Sequence, residues 1–394
     1  MSNKSLLIIK PIKFDKYLYN HHIIKFINKK KYKLVYLYGD LLDISINLDN
    51  YNYKKIKTLD PNFWYPIVRS TELKAGKALD IEFAGTSIVV VRPKLGAVYA
   101  LENKCAHRQV PLHVGTVSDN GIKCGYHGWE YDATGNCIDI PYLSGCKKQK
   151  NRVRSFPTKE AYGLIFIYPG DTSKIEKVLF PEVNNANSND YKIRYLNRRV
   201  DCHYSFMHEN LMDMNHQFLH RRLMGGIKTI FLDTRKGANW VETDYTFKRR
   251  SGKQPLGEKF MLGKRPSALE KTDRDLMIIR TEYPYQTLRF WTAGSSEPAL
   301  DLWNVYVPLG KNQNSNHTFG LMMIKRPSMK LLLEVAWPFI IWFTNGIFAE
   351  DKWICQLEQE AFDRQGEDQN QEIFPAIINL RRVLRNNGIP LRKD

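Results

Sequence analysis

Two pairs of metal-ligand residues constrain this chain more than any other sequence feature. The first pair is Cys105 and His107, and the second is Cys124 and His127. Four such ligands suit a tetrahedral zinc ion or a 2Fe-2S cluster in which two histidines replace two cysteines on one iron. Because each pair supplies one cysteine and one histidine, the cysteines can bind one iron and the histidines the other. This division favours the cluster.

The surroundings of both pairs resemble the Rieske iron–sulfur motif. Sixteen residues separate the two segments, and the second runs on into Gly128 and Trp129, as the motif does. Gly125 departs from the motif, which usually has proline after the second cysteine. The resemblance implies that the four ligands named above bind a Rieske 2Fe-2S cluster.

A second group of candidate ligands lies further along the chain. His216 and His220 are four residues apart in a segment, 200–222, whose apolar spacing predicts a helix. On a helix both imidazoles project from one face, and Asp213 lies one turn before them on the same face. Taken alone, such histidines are more often an ordinary, partly exposed pair. No His-Glu-x-x-His zinc-protease pattern is present.

With the first motif upstream, the segment Glu209–His220 resembles the mononuclear iron motif of Rieske-type non-heme iron oxygenases, the family of the ring-hydroxylating dioxygenase alpha subunits. The resemblance implies that His216 and His220 bind Fe(II) together with a carboxylate from a C-terminal helix. Asp351 matches that carboxylate in register, and Glu350 is its competitor. Only three residues separate the two histidines, as in the carbazole dioxygenase type.

The family resemblance also implies the fold. It predicts an α+β protein in which an N-terminal all-β Rieske domain precedes a helix-grip catalytic domain, an antiparallel sheet with a long C-terminal helix. Short β-rich runs and turns between about 60 and 170, and strands followed by helix from Leu331, agree with this order. We therefore predict a basic N-terminal extension over 1–58, a Rieske domain over 59–172 and a catalytic domain over 190–385.

The implied activity is oxygen activation. A ferredoxin and/or a flavin reductase would supply electrons to the cluster, and the mononuclear iron would use them with O2 to hydroxylate or demethylate an apolar, aromatic or macrocyclic small molecule. Candidate pocket residues lie within Met277 to Asn304. In the family, Asp213 links a cluster histidine to an iron histidine across a subunit boundary, which implies a homotrimer.

Other readings stay open at this point. The segment Asn-Phe-Trp-Tyr-Pro, which begins at Asn62, and the single-chain form are also similar to those of the chlorophyllide and pheophorbide a oxygenases. The alternative function is a Rieske electron-transfer or regulatory protein without oxygenase chemistry. An electron carrier of that type needs a membrane anchor, and the uncharged stretch Val335–Ala349 is shorter than the roughly 20 apolar residues of a spanning helix. That stretch predicts either a buried helix and turn or an interfacial membrane contact.

The net charge of the chain limits the classes of partner that it would bind. The net charge is +18, and residues 1–57 hold 12 Lys and four Asp, so an excess of eight lies there. No nucleic-acid recognition motif accompanies it, so no nucleic-acid partner is expected. A basic surface instead suits an acidic electron donor or an anionic membrane surface. The early apolar run Leu6–Ile9 is too short for a secretory signal, which predicts a cytoplasmic or plastid stroma-like location.

Overall fold

The structure, a computed structural model, describes most of the chain after residue 56. The described residues are 6–7, 24–28, 31–35, 57–143, 151–251, 256, 275–366 and 371–390. Residues 1–55 and 366–368 form one compact unit, and the rest of the chain forms a second. In the first unit three antiparallel strands are described: β1 (Leu6–Leu7), β2 (Ile24–Asn28) and β3 (Lys31–Val35). Apart from these strands and residues 57–58, the predicted extension 1–58 lies outside the described residues.

The second unit opens with short antiparallel strands. They are β4 (Lys57–Thr58), β5 (Tyr65–Arg69), β6 (Lys77–Phe83), β7 (Thr86–Arg92), β8 (Tyr99–Glu102), β9 (Thr116–Val117), β10 (Ile122–Lys123), β11 (Glu130–Tyr131), β12 (Cys137–Asp139), β13 (Ser155–Phe156), β14 (Thr158–Ala161) and β15 (Leu164–Ile167). They form sheets in the orders β12-β11-β10-β9, β13-β8-β7-β6 and β14-β15-β5. Two 3₁₀ helices, Leu112–Val114 and Thr172–Lys177, lie in the connections. This part has the all-β character that the sequence predicts.

A seven-stranded antiparallel sheet follows. Its strands are β16 (Tyr191–Val200), β17 (Gly226–Lys236), β18 (Trp240–Ser251), β19 (Leu276–Glu282), β20 (Tyr285–Trp291), β21 (Leu300–Leu309) and β22 (Ser315–Lys325). The order is β16-β22-β21-β20-β19-β18-β17, so β16 joins the sheet beside the last strand of the meander. Strand β21 is buried at every position after Leu300, so both faces of the sheet are covered there.

Helices cover one face of this sheet. They are α1 (Tyr204–Met212), α2 (Arg221–Met224), α3 (Lys330–Gln365) and α4 (Pro375–Asn387), and a last strand, β23 (Ile389–Pro390), pairs with β4. The predicted α+β class with a long C-terminal helix is confirmed. A buried ion pair fixes α1 against α4, because Arg381 donates to both carboxylate oxygens of Glu209 at 2.6 and 3.0 Å. Breaking such a pair typically costs about 3–5 kcal/mol.

The prediction of one helix over 200–222 is wrong in detail. Helix α1 ends at Met212, because Asp213 leaves the helical conformation (φ −93°, ψ 89°) and its side chain accepts the N–H of Asn215. A 3₁₀ helix, Met214–Phe218, follows, and His220 caps α2. An aspartate that bonds to nearby backbone competes with helix continuation. The two histidines therefore do not share one helical face.

Helix α3 differs from the prediction for Val335–Ala349. The helix runs without a turn through Gly346, and from Leu331 it is long and apolar enough to cross a membrane by length and composition. Only 28% of its most apolar 18-residue window is buried. Val335 and Trp342 are 75% and 61% exposed. An apolar face of α3 is thus left uncovered by the described part of the chain.

One apolar core joins the β-rich part to the seven-stranded sheet. Phe166 of β15 lies 6.3 Å, ring to ring, from Trp303 of β21. Tyr285 donates to the carbonyl of Trp64 at 2.8 Å, and the N–H of Ala84 donates to a sheet carbonyl at 2.9 Å. A second core, which contains the buried Cys105 and Cys124, lies within the β-rich part. The two parts therefore form one packed body.

Candidate active site

Two matched loops carry the four predicted cluster ligands. In each loop the cysteine N–H donates to the carbonyl five residues on, and the N–H four residues on donates back to the cysteine carbonyl, at 2.8–3.2 Å. The fourth residue after each cysteine has positive φ, 60° at Gln109 and 71° at Gly128. Glycine adopts this conformation without penalty, whereas Gln109 must be held there by its loop. Gly125 leaves the hydrogen bonds of the second loop intact.

The four side chains differ in burial. Cys105 and Cys124 are 2% and 4% exposed, whereas His107 and His127 are half-buried with ring centroids 4.6 Å apart. Burial raises the pKa of the Cys124 thiol, and contact with Cys105 raises it further. Nδ1 of His107 is buried and has no hydrogen-bond partner in the described chain. Two buried thiols and two imidazoles nearer the surface, one with an unused nitrogen, fit a Rieske 2Fe-2S cluster.

Tyr131 is a residue of this site that the sequence interpretation missed. Its hydroxyl lies 3.2 Å from Sγ of Cys105 and accepts the N–H of Ala106 at 3.0 Å. Since that N–H occupies a lone pair, the hydroxyl proton is left to point at the sulfur. Tyr131 follows Trp129 by two residues, and this strand spacing was the available signal.

We expect Tyr131→Phe to lower the reduction potential of the cluster. A hydrogen bond to a cluster sulfur stabilises the reduced, more negative state, and its loss removes that stabilisation. If the two states differ by about 1 kcal/mol in this bond, the fall is on the order of 40 mV. Protein-film voltammetry measures it. Tyr126→Phe is the matched control, since Tyr126 is 57% exposed and should leave the potential unchanged. A potential that does not move in Tyr131→Phe would contradict the assignment.

Three ligand-type side chains lie close together next to the seven-stranded sheet. His216, His220 and Asp351 offer one atom each within 4.8 Å of one another, although they come from a 3₁₀ helix, a cap and helix α3. Nε2 of His220 is 3.2 Å and Nε2 of His216 is 3.6 Å from Oδ1 of Asp351. Asn210 donates to the same oxygen at 3.0 Å. The convergence is what a two-histidine, one-carboxylate site requires.

Hydrogen bonds fix the tautomers of both histidines. Nδ1 of His216 faces the carbonyl of Asp213, and Nδ1 of His220 faces a carboxylate oxygen of Glu350 at 2.8 Å. Both partners only accept, so each Nδ1 carries the proton and each Nε2 keeps its lone pair toward Asp351. The residues present therefore fit a divalent cation. Glu350 faces the outer nitrogen of His220, and Asp351 faces the inner ones.

The charges of the site also favour a cation. Burial lowers the pKa of His220, but the hydrogen bond and charge of Asp351, followed by those of Glu350, raise it above its ordinary value. Burial raises the pKa of Asp351, and the two histidines more than reverse this. Two carboxylates around two imidazoles thus create a site in which positive charge is stabilised.

The predicted bridging residue, Asp213, has local partners in this chain. Its carboxylate accepts the N–H and the side-chain amide of Asn215 at 2.9 and 2.8 Å. Its contact with His216 runs through its backbone carbonyl. The proposed link between the two metal centres therefore stays a prediction.

The three side chains line one large apolar cavity. Its empty space, with the mouth included, measures about 1080 Å³, and fourteen of its nineteen lining residues are apolar. Five of them fall in the predicted stretch: Met277, Leu288, Phe290, Leu300 and Leu302. The Trp and Tyr side chains of that stretch, such as Trp303 and Tyr285, lie on the opposite strand face and contact each other. Strand alternation thus separates pocket residues from core residues.

Two family models match the chain in order. A Rieske [2Fe-2S] domain matches residues 63–157, and a vanillate O-demethylase oxygenase C-terminal domain matches residues 200–386. The chain is a Rieske-type non-heme iron oxygenase. The second match supports the predicted oxygenase function rather than electron transfer alone, because that model is an oxygenase domain. The cofactors of this oxygenase family are the Rieske 2Fe-2S cluster and a mononuclear iron.

Curated relatives include several oxygenases. This Rieske oxygenase is 28% identical over 340 residues to a 4beta-methylsterol monooxygenase of Methylococcus capsulatus. The alignment covers 82% of this chain and 86% of the relative. It is 34% identical over 161 residues to the oxygenase component of dicamba O-demethylase of Stenotrophomonas maltophilia, covering 41% of this chain and 47% of the relative. Such components belong to systems with separate electron donors.

Solved structures show the same fold. The crystal structure of dicamba monooxygenase bound to dicamba superposes with a TM-score of 0.67 at 22% identity, covering 84% of this chain and 97% of that chain. Pseudomonas putida NdmA with caffeine gives 0.60 at 23% identity over 83% and 88%. The predicted helix-grip domain is thereby confirmed as a fold.

Proposed function

We propose that this Rieske oxygenase hydroxylates or demethylates an apolar, aromatic or macrocyclic small molecule at iron held by His216, His220 and Asp351. The observation that carries the proposal is an apolar cavity that is lined by all three residues of the cluster. A site with two imidazoles and one carboxylate leaves coordination positions open for O2 and substrate. The cluster ligands of this proposal are the two cysteines and two histidines of the matched loops.

The protein's own residues perform defined tasks in this scheme. When bound, the cluster relays electrons and the iron activates O2. Asn210 holds Asp351 in place, and Glu350 orients His220 through its outer nitrogen. The apolar wall excludes water from the reacting end and selects apolar substrates by burial. These hydrogen bonds keep the Nε2 lone pairs of both histidines directed toward Asp351.

The relatives support the substrate class. Their names describe action on a methylsterol, on dicamba and on vanillate, which are apolar or aromatic molecules, two of them demethylated. The lining of the cavity is mostly apolar with a few polar groups at the three-residue cluster, which is typical of sites that bind small molecules.

An acidic ferredoxin or flavin reductase is the electron donor that the charge favours. At +18 the chain attracts an acidic donor, and salt screens such attraction within about 10 Å at 0.1 M.

We infer a homotrimer, in which the cluster of one subunit serves the iron of the next. Mass photometry measures the subunit number, and stopped-flow reduction at rising salt measures the steering. A cytoplasmic or plastid stroma-like compartment would supply such a donor.

The uncovered face of α3 supports contact with a membrane surface. Leu331, Leu332, Val335 and Trp342 are more than half exposed on its N-terminal half. Apolar and Trp side chains on one helix face, on a basic protein, are typical of interfacial helices. Sedimentation with anionic liposomes tests this contact, and protein that stays in the supernatant would contradict it.

The proposed activity has a direct test. Purified protein should contain about three iron and two sulfide per chain, two iron from the cluster and one from the mononuclear site. With a ferredoxin, its reductase and ¹⁸O2, it should put labelled oxygen into a methylated or polycyclic aromatic substrate, or release formaldehyde. Mass spectrometry detects both. Iron-loaded protein that reduces its cluster but couples no electrons to any product across such a panel would contradict the proposal.

A further inference from the structure

Two arginines beside the active site have no acidic partner. Arg194 and Arg198 lie four residues apart on β16, on one face of the strand. Both donate to Oδ1 of Asn345 on α3, and both guanidinium groups lie over the ring of Phe348, at 6.0 and 5.8 Å. Nη1 of Arg194 is buried and makes no hydrogen bond. Within the described chain, neither arginine forms an ion pair.

This arrangement is costly for the protein alone. Arg194 is only 8% exposed, and burial, followed by the charge of Arg198, lowers its pKa to about 10. It still carries its charge at neutral pH. A buried guanidinium without a counter-ion is unfavourable, and here two share one neutral acceptor. An anion bound at Arg198 would relieve the repulsion between the two guanidinium groups, and a guanidinium binds carboxylates in bidentate geometry.

The location connects the arginines to the active site. A second, smaller cavity is lined by Arg198, and it shares three residues with the large apolar one: Leu211, Phe348 and Asp351. Phe348 therefore lies against the guanidinium of Arg198 and also lines the apolar chamber. Asn304 and Thr318 add polar atoms to the smaller cavity, and Oδ1 of Asn304 has no partner. An apolar chamber with a few charged groups at one side is the usual plan of a site that orients an amphipathic ligand.

We propose that Arg198, supported by Arg194, binds the carboxylate of the substrate while the apolar body of that substrate fills the large cavity. The preferred substrates are then apolar carboxylic acids rather than neutral hydrocarbons or ethers. This inference rests on the proposed function, since it names the substrate class of the same site. Arg194 acts as a positioning residue, because its guanidinium holds Asn345 and Phe348 around the anion.

The test compares a carboxylate with its neutral amide. The iron- and cluster-loaded protein is titrated anaerobically with 2-naphthoate and with 2-naphthamide by calorimetry. We expect 2-naphthoate to bind at least about tenfold more tightly, and Arg198→Gln to remove that preference. Arg199→Gln is the matched control: Arg199 is the next residue, points outward and pairs with Asp201 at 2.9 Å, so its loss should keep the preference.

Further arms decide the source of the anion and the role of the arginines. Acetate should bind far more weakly than 2-naphthoate, and equal binding would overturn the assignment to an apolar substrate. Arg194→Met should keep or raise the melting temperature, because it removes a buried unpaired charge. Arginine variants that melt earlier yet keep the wild-type preference for naphthoate would make the pair structural and overturn the proposal. Since no O2 or reductant is present, these results are independent of whether the enzyme turns over.

Discussion

Asp351→Ala should lose the mononuclear iron and all oxygenation while the visible spectrum of the cluster stays unchanged. Asp351 is the carboxylate that faces the inner nitrogens of both His216 and His220, at 3.6 and 3.2 Å. Without it the site keeps two neutral ligands and no inner negative charge, which is too little to hold a divalent ion in the presence of water. The cluster ligands lie in a separate β-rich core, so their environment does not change. Iron analysis after chelator dialysis, together with product formation, measures the loss.

Glu350→Gln is the matched control for this experiment. Glu350 precedes Asp351 on the same helix but bonds the outer nitrogen of His220. Glutamine retains an acceptor for that N–H and removes only the charge. Loss of such an outer partner typically lowers metal affinity or activity by about 10–100-fold, so iron should still bind. If Glu350→Gln were inactive and free of iron while Asp351→Ala remained active, the ligand assignment on α3 would be wrong.

The second large effect concerns electron transfer. We expect Asp213→Asn to keep both metal centres and to slow reoxidation of the reduced cluster by about 10–100-fold when substrate and O2 are present. Asparagine can still accept the N–H of Asn215, so the chain reversal between α1 and the 3₁₀ helix should survive. What changes is the charge beside His216. Stopped-flow absorbance of the cluster gives the rate.

A second variant separates charge from fold at the same turn. Asn215→Ala removes the side-chain amide that bonds Asp213 but leaves the carboxylate in place. It should reoxidise at close to the wild-type rate. If Asp213→Asn loses its mononuclear iron, Asp213 is needed for the iron site itself. If its reoxidation rate is normal, the carboxylate takes no part in the relay.

The sequence predicted the parts of the site that depend on short spacing. Two Cys/His pairs within four residues each must lie in tight loops, so their proximity follows from local structure. The histidines at 216 and 220 were also identified, although the reason given, one helical face, does not hold in the structure. They converge because Asp213 breaks the helix and the chain turns twice within eight residues.

Contacts between distant segments could not be predicted in this way. The pairing of Glu350 with His220 joins residues 130 positions apart, and only the position of α3 against α2 decides which of two adjacent carboxylates faces inward. In the sequence, the segment that contains Arg194 and Arg198 has the pattern of an ordinary exposed, charged strand. Their burial follows from β16 joining the sheet beside β22, where α3 covers it. Such information depends on tertiary topology rather than on residue type.

The single core that joins the β-rich part to the seven-stranded sheet limits how electrons can travel. Some redox proteins shorten the path by swinging one domain on a hinge. Here a swing would expose Phe166 and Trp303, and each aromatic side chain buries about 150–250 Å², worth about 4–6 kcal/mol at 25 cal/mol per Å². The gap between the two metal centres of one chain is therefore set at folding and does not change during turnover. A more viscous solvent should slow only the arrival of the electron donor. Electron transfer from the cluster to the mononuclear iron should have the same rate in glycerol as in water.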